Sequence, residues 1–380
     1  MSWLNGLKHA VKRFGEVETP RAERRPATGL GALCGLDSAS TPAGVKNIST
    51  TGVYLLTEKR LSTGEQVTLI LQEEGEREDN AELQFSVHAR VARQGEDGIG
   101  LSFVLPPGLN VDLWGVLVRN IVVLTDPEQV ADMFHTLRTI LFLCGICQAG
   151  AEEPILLLGK ELHPDRTASL LKIALEAEKL LTAQPDAERM RAHPKLVANI
   201  LREGSWATDE LTLQFWTGLL VSSCSVDEPD ESNQIFADLL VHFTPTEARI
   251  FNLACERALG LSPGHDVSAS DSVMLSPKDV IEVTGVHDLS RAATDLAYLF
   301  NLGLIRNVFD FSSYLEIESF DVTPSSLGLK LYQHCHGSRE KIDPQLVEVA
   351  NAHLSNFLPP AQPIDIEDQA HPAVFTAPEG

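Results

Sequence analysis

Two short groups of polar residues near the N-terminus are of types that can bind an anionic, aromatic ligand. The first is Arg21-Ala22-Glu23-Arg24-Arg25, in which two arginines stand in an Arg-x-x-x-Arg pattern. The second is Asn47-Ile48-Ser49-Thr50-Thr51-Gly52, an Asn-x-Ser-x-x-Gly pattern. A guanidinium group is planar and always charged, so it can form two parallel hydrogen bonds with a phosphate and can stack on aromatic rings. Either group alone arises by chance, so the interpretation depends on both occurring together at this spacing.

The region that must position these groups, residues 16–107, is predicted to be all-β. Short runs rich in β-branched and alternating apolar residues are separated by Gly, Asp, Asn and Glu, which is typical of strands joined by turns. The clearest runs begin at Val53, Gln66, Leu83 and Ile99. Residues 73–82 are acidic and polar, which indicates an exposed loop, and the first strand is poorly defined because residues 27–45 are rich in Gly, Ala and Ser.

The order of these residues resembles the PilZ domain, a small bacterial β-barrel that binds cyclic di-GMP. The resemblance covers residues 16–107 and depends on both polar motifs, on Gly-Val-Tyr-Leu at 52–55 and on Gly-Ile-Gly-Leu-Ser-Phe at 98–103. It implies a small antiparallel β-barrel with cyclic di-GMP as its ligand and no metal.

The resemblance assigns ligand contacts to residues of the two motifs, namely Arg21, Arg25, Asn47, Ser49 and Gly52. By the family pattern, Arg21 and Arg25 contact the phosphates and the Hoogsteen edge of guanine, whose O6 and N7 are both acceptors. Asn47 and Ser49 stand where the family hydrogen-bonds guanine. Gly52 lets the chain turn close to the ligand without a Cβ. Arg24 is a candidate for the supporting charge that many members of the family carry.

Three features depart from the family pattern. Pro26 follows Arg25 directly and biases its backbone toward an extended conformation. Asn47 can hydrogen-bond but lacks the charge of an aspartate, and Glu23 lies between the arginines and could pair with them. These departures leave open a second interpretation, in which a PilZ-like barrel no longer binds nucleotide and serves as a protein-contact module.

From about residue 126 the pattern changes from strands to helices. Asp126-Pro127-Glu128 and Thr244-Pro245-Thr246-Glu247 are typical helix starts, with Pro in the first turn and acidic residues beside it. Helices are predicted over 127–149, 165–184, 194–202, 208–224, 232–242 and 245–259. Many helices with short connections imply a packed all-α domain over residues 126–274.

Residues 275–336 have the element order of a winged helix: helix, turn, helix, two strands and a further helix. The helices are predicted from Ser276 to Gly285, over 289–302 and from Thr323 to Cys335, and the strands over 304–309 and 314–320. Such a unit could bind DNA through its second helix, but it holds four basic against eight acidic residues, a net charge of −4. We therefore expect packing or protein contact here rather than DNA binding.

The remaining segments are short. Residues 1–15 form a basic amphipathic pattern, and 108–125 are predicted to be a linker or helix. The favoured role of the 1–15 helix is packing on the protein itself, and contact with a membrane surface or a partner is the alternative. Residues 337–357 are predicted to form a short helix, and 358–380 a disordered acidic tail.

Composition narrows the function classes. The chain has 380 residues with 30 Lys and Arg against 53 Asp and Glu, a net charge of −23, which argues against a general nucleic-acid binder. Six scattered cysteines favour reduced thiols. The sequence shows no apolar run long enough to span a bilayer and no signal-peptide pattern, so we expect a cytoplasmic protein.

Two other groups with possible chemistry were weighed and set aside. Cys144-Gly145-Ile146-Cys147 lacks a second ligand pair nearby and is predicted to be a buried part of a helix. His334-Cys335-His336 ends a predicted helix, on which adjacent side chains point in different directions. With no nucleophile, acid–base pair or metal set in the sequence, we expect a protein that is not an enzyme.

The helical part resembles, more loosely, Abi-alpha-type proteins of bacterial abortive-infection systems. The similar stretches begin at Phe215, Phe236, Leu302 and Val322, and they identify no catalytic residue. The sequence as a whole therefore predicts a multidomain α+β protein: a PilZ-like barrel, an all-α domain and a winged-helix-like unit. Its predicted function is a cyclic di-GMP receptor or adaptor in signal transduction, acting on an unidentified protein partner. The alternative is a nucleotide-independent interaction or phage-defence module.

Overall fold

The computed structural model describes most of the barrel and helical regions. The described residues are 25–26, 30–36, 39–73, 84–109, 114–115, 127–159, 163–227, 229, 231–261, 272–306 and 319–355. Several predictions lie outside them: the helix at 1–15, Arg21, Arg24, nearly all of the 73–82 loop, most of the 108–125 segment and the tail at 358–380.

Seven antiparallel strands are present among the described residues of the N-terminal part. They are β1 (Arg25–Pro26), β2 (Leu30–Leu36), β3 (Ala39–Ser49), β4 (Gly52–Leu56), β5 (Gln66–Glu73), β6 (Gln84–Gln94) and β7 (Gly98–Val104). The long strand β3 pairs with β2 through its first half and with β4 through its second half, so that β2 to β7 close into a barrel. The short strand β1 lies beside β3. The predicted small antiparallel β-barrel is confirmed.

Alternation along the strands separates the inside of the barrel from the outside. In β6, Phe85, Val87, Ala89 and Val91 are buried, while the residues between them are exposed. Successive side chains of a strand point to opposite faces, so this period of two places the apolar set in the barrel interior. The polar residues between them are left on the outer face.

Eleven helices are present in the described part of the chain that follows. They are α1 (Pro127–Cys147), α2 (Glu152–Gly159), α3 (Pro164–Thr182), α4 (Pro194–Gly204), α5 (Glu210–Ser222), α6 (Gln234–Leu240), α7 (Pro245–Leu261), α8 (Pro277–Thr284), α9 (Leu289–Asn301), α10 (Ser326–Cys335) and α11 (Pro344–Leu354). All but one coincide with a predicted helix to within a few residues. The exception, α2, was not predicted because its sequence, EEPILLLG, is apolar without a helical period.

The prediction of a winged-helix unit is not confirmed. Strand β8 (Met274–Leu275) pairs with β9 (Phe320–Asp321), each only two residues long. The predicted strand pair over 304–309 and 314–320 lies mostly outside the described residues and stays a prediction. Apart from the β8–β9 pair, Ile305 forms an isolated bridge with Pro324, and residues 307–318 lie outside the described part.

The helix predicted from Thr323 to Cys335 begins three residues later than expected. The Thr323 hydroxyl accepts a hydrogen bond from the Val273 amide, 2.9 Å away, which fixes Thr323 beside β8 instead of at a helix end. Ser325 takes the capping position, because its hydroxyl accepts from the Gly328 amide at 2.9 Å. The helix therefore begins at Ser326.

Aromatic side chains join one end of the barrel to the helices. Phe85 and Phe103 lie at the start of β6 and the end of β7, and both ring centroids are within 6.5 Å of the fully buried Trp114 ring. Phe85 also packs on Phe134 of α1 at 5.5 Å. Because these rings interlock, the barrel and the helical region share one continuous apolar core.

Candidate functional site

The two polar motifs meet where β1 lies beside β3. Arg25 pairs with Ile48, and Pro26 pairs with Asn47, in antiparallel register. Neighbouring strands are about 4.8 Å apart, so this pairing brings the backbone of the first motif next to the second. The side chain of Arg25, and all of Arg21 and Arg24, lie outside what the structure describes.

Strand pairing extends the second motif across the outer face of the barrel in two rows. In the first row Asn47 lies opposite Tyr54, Tyr54 opposite Gly100, and Gly100 opposite Arg93.

In the second row Ser49 lies opposite Gly52, Gly52 opposite Ser102, and Ser102 opposite Arg90. The eight residues of these two rows form a surface that we call the site face. Each row runs from a predicted ligand residue on β3 to an arginine on β6.

Asn47 is the predicted ligand residue whose side chain is most accessible on this face. It is half-buried, and its amide makes no side-chain hydrogen bond within the described part of the chain. A β-bulge between Val45 and Asn47 shifts the register of β3. As a result Ile48 points into the barrel, where it is 1% exposed, and Asn47 points outward.

Ser49 is used by the fold itself. Its side chain is buried, its hydroxyl donates to the Gly52 carbonyl at 3.1 Å, and its Oγ accepts from the Thr51 amide at 3.4 Å. These bonds hold the turn between β3 and β4. Ser49 as a ligand contact therefore stays a prediction, beside a structural role that the sequence did not reveal.

Gly52 is required by the barrel for a reason other than the predicted one. A Cβ at this position would lie 2.1 Å from the carbonyl oxygen of Leu101 on β7. The close approach of β4 to β7 thus excludes any side chain here, whether or not a ligand binds.

Four residues of the site region were missed by the sequence analysis: Lys46, Tyr54, Arg93 and Asp97. The Tyr54 hydroxyl donates to Asp97 Oδ1 at 2.8 Å, and Lys46 Nζ lies 2.5 Å from Asp97 Oδ2. The Lys46 ammonium and the Tyr54 hydroxyl, both hydrogen-bonded to this carboxylate, lower the pKa of Asp97, and the bond to Asp97 raises the pKa of Lys46 and of Tyr54. The carboxylate thus fixes a tyrosine and a lysine together.

Two cationic side chains lie near the Tyr54 ring. Arg93 Cζ lies 5.6 Å from the ring centroid and Lys46 Nζ lies 5.5 Å from it, both within cation–π range. Arg90 and Arg93 are the charged residues of the site face and give it a positive character in a chain whose net charge is −23. Arg90 is a fifth residue that was not predicted, although the alternation of β6 places it outward.

The two cysteines of the Cys144-Gly145-Ile146-Cys147 motif are buried thiols. Cys144 and Cys147 lie inside the helical core, and burial raises the pKa of the Cys144 thiol to about 12. Within the described ranges, no group of three or more His, Cys, Asp or Glu side chains is placed to hold a metal ion. None of the helices described there is long and apolar enough to cross a membrane.

Comparison with known proteins finds two family models on the chain. The PilZ domain model matches residues 19–112, and the abortive infection alpha model matches residues 166–330. No curated protein matches the chain. The crystal structure of an uncharacterized Legionella protein, Lpg0364, is similar at 16% identity, covering 30% of this chain and 89% of that one, with a TM-score of 0.16. At that score the likeness has no bearing on the fold.

Proposed function

We propose that this protein is a cytoplasmic receptor for cyclic di-GMP that acts as a non-enzymatic adaptor in bacterial signal transduction. The PilZ match over residues 19–112 supports the ligand class. The observation that carries the proposal is the pairing of Arg25 with Ile48, between Asn47 and Ser49. The backbones of two motifs that are separate in the sequence thereby lie side by side.

The proposed contacts follow from the chemistry of the ligand. Cyclic di-GMP carries two phosphates and two guanines. Arg21 and Arg25 form bidentate hydrogen bonds with phosphate oxygens or with O6 and N7 of guanine, and Arg24 adds charge next to them. The amide of Asn47, which makes no side-chain hydrogen bond to another described residue, offers both a donor and an acceptor to a guanine edge.

The position of the site favours an effect on the helical region. The turn between β3 and β4 lies at the same end of the barrel as the end of β7, because Gly52 pairs with Ser102. From there the chain enters a turn in which Gly108 lies against the backbone of Gln148, just after α1. Ligand capture at this end would therefore act next to the contact between barrel and helices.

A cleft lies beside that contact. It has a volume of about 370 Å³ and is lined by β6, β7, α1 and α3, with His88, Val104, Leu141 and Glu178 among its walls. A ligand would alter the contact between barrel and helices only if it bound one arrangement of that contact better than another. A shift in that equilibrium is the proposed signal to the protein partner.

Calorimetric titration of the full chain with cyclic di-GMP tests the proposal. We expect saturable binding, weakened at least about 10-fold by Arg21→Ala, Arg25→Ala and Asn47→Ala, since each removes a hydrogen bond to a charged or polar ligand group. Arg291→Ala, an exposed change of the same charge on α9, is the control and should bind like the parent. Absence of binding, or equal binding by all the variants, would overturn the proposal.

The second candidate is a nucleotide-independent interaction or phage-defence module. The match of residues 166–330 to a family named for abortive infection favours it, as does the use of the Ser49 hydroxyl within its own turn. In cells challenged with phage, this alternative predicts equal protection by the parent and by an Arg21→Ala/Arg25→Ala variant. Protection that disappears with the arginines would instead favour the receptor.

A further inference from the structure

Arg93 lies flat across the middle of the site face. A Cβ built on Gly100 would lie 2.9 Å from Arg93 Cγ and 3.2 Å from Nε, so the arginine stem rests on the glycine. The guanidinium carbon then reaches the Tyr54 ring at 5.6 Å. Because Tyr54 pairs directly with Asn47, this cation is one strand away from the predicted guanine contact.

A second β-bulge places Arg93 on this face. Phe85 to Val91 alternate with odd-numbered residues inward, which would turn Arg93 into the barrel. The register between β6 and β7 shifts between Val91 and Arg93, and Arg93 is exposed. Asn47 and Arg93, at opposite ends of one row, are thus each turned outward by a bulge, a device that proteins use to re-aim side chains at sites.

The Tyr54 ring beneath Arg93 is held in place. Its hydroxyl is bonded to Asp97, and a Cβ at Gly95 would lie 1.9 Å from the hydroxyl oxygen, so the tip of the ring sits against the β6–β7 turn. Lys46 is occupied by its ion pair with Asp97. Among the described residues no carboxylate pairs with Arg93, so its guanidinium is the cation of this row that remains for a ligand.

We infer that the Arg93 guanidinium, supported by Tyr54, is a stacking platform for one guanine base of cyclic di-GMP; this inference rests on the proposed function. A guanidinium stacks on aromatic faces, and one that already contacts a tyrosine ring on one side can offer the other side to a base. The base then lies between Arg93 and the Asn47 amide, which reads its edge. The phosphates are left to the arginines of the N-terminal segment.

Titration of full-length variants with cyclic di-GMP tests the platform. We expect Arg93→Ala to raise the Kd roughly 10-fold, in the range of one base stack. Arg93→Lys keeps the charge but loses the plane, so it should lose as much as Arg93→Ala. Tyr54→Phe keeps the supporting ring and should stay within about 2-fold of the parent, while Arg291→Ala again serves as the charge-matched control.

The outcomes separate this inference from the function on which it rests. If the parent does not bind cyclic di-GMP, both are overturned. If Asn47→Ala weakens binding while Arg93→Ala binds like the parent, the platform alone is wrong. Full binding by Arg93→Lys would show a charge contact to phosphate and would also reject stacking on the base. Urea unfolding of each variant shows whether a loss of binding reflects a loss of fold.

Discussion

On the barrel, the polar side chains of the site face project from strands that are already held by backbone pairing and by an inward apolar row. In the helical region, polar side chains hold the elements together. Ser276 and Asp279 form a capping box at the start of α8, and Asp279 also accepts from Arg257 at 2.5 Å. Arg138 and Glu178 join α1 to α3 at 2.5 Å. The helical region therefore uses charged side chains to join its helices, whereas Asn47 and Arg93 on the site face form no hydrogen bond or ion pair through their side chains with another described residue.

This difference indicates at which positions a polar residue can be substituted with little effect on the free energy of folding. A polar residue that caps a helix or bridges two of them is part of the free energy of folding. A polar residue on an outer row of a closed barrel contributes little to that free energy, so it can be selected for binding. The comparison therefore predicts separate responses to mutation in the two regions.

The largest effect on stability should come from the core of the helical region. Phe251 is fully buried, with ring contacts to Phe215 at 6.3 Å and Phe243 at 5.4 Å. Phe251→Ala should lower the free energy of unfolding by about 3–5 kcal/mol in urea titration, because it leaves a cavity. Phe300→Ala, at a more exposed position on α9, is the control and should cost less than about 1 kcal/mol. Equal costs would mean that Phe251 is not a core anchor.

An intermediate, pH-dependent effect is expected at Asp279. Hydrogen bonds from Arg257 and Ser276 hold the pKa of this carboxyl well below its ordinary value. Its ionised form therefore stabilises the fold above the unfolded-state pKa near about 4, and this contribution is lost as the pH falls toward the folded-state pKa. Asp279→Asn should cost about 1–2 kcal/mol at pH 7.

Urea midpoints measured from pH 7 down to pH 3 check this expectation. The gap between the parent and Asp279→Asn should narrow as the pH falls below about 4. Glu282→Gln, exposed on the same helix, is the charge-matched control. A gap that stays constant with pH would show that the carboxylate's charge is not what stabilises α8.

The smallest effect on stability is expected on the site face. Asn47→Ala and Arg93→Ala should each change the free energy of unfolding by no more than about 0.5 kcal/mol, since neither side chain forms a hydrogen bond or ion pair with another described residue. Urea unfolding beside the binding titrations measures both properties on the same samples. A cost above about 2 kcal/mol for either change would erase the contrast between the two regions.

The sequence predicted the elements whose signals are local. Alternation along β6 and the helical periods after residue 126 gave the barrel and ten of the eleven described helices. The capping box at Ser276 and the left-handed Gly285, with φ of 70°, were also readable from residue types at fixed offsets.

What the sequence did not predict depends on partners far away in the chain. The strand pair β8–β9 joins residues nearly fifty positions apart, so no local pattern could predict it. The site face depends on two bulges, and a bulge reverses which side chains point outward. A strict alternation along β6 would therefore place Arg93 inside the barrel. The hydrogen bond from Tyr54 to Asp97 can be recognised only when β4 and the β6–β7 turn are side by side in the fold.

The aromatic contacts at the end of the barrel, which join Phe85 and Phe103 to Trp114 and Phe134, have a consequence for producing the barrel as a fragment. A fragment cut at residue 112, where the PilZ match stops, would lack Trp114 and Phe134. The side chains of Phe85 and Phe103 would then be exposed to water at that end of the barrel, and exposed apolar rings favour self-association. We therefore expect a soluble excised barrel to extend through α1, because that helix packs on the barrel as well as on the other helices.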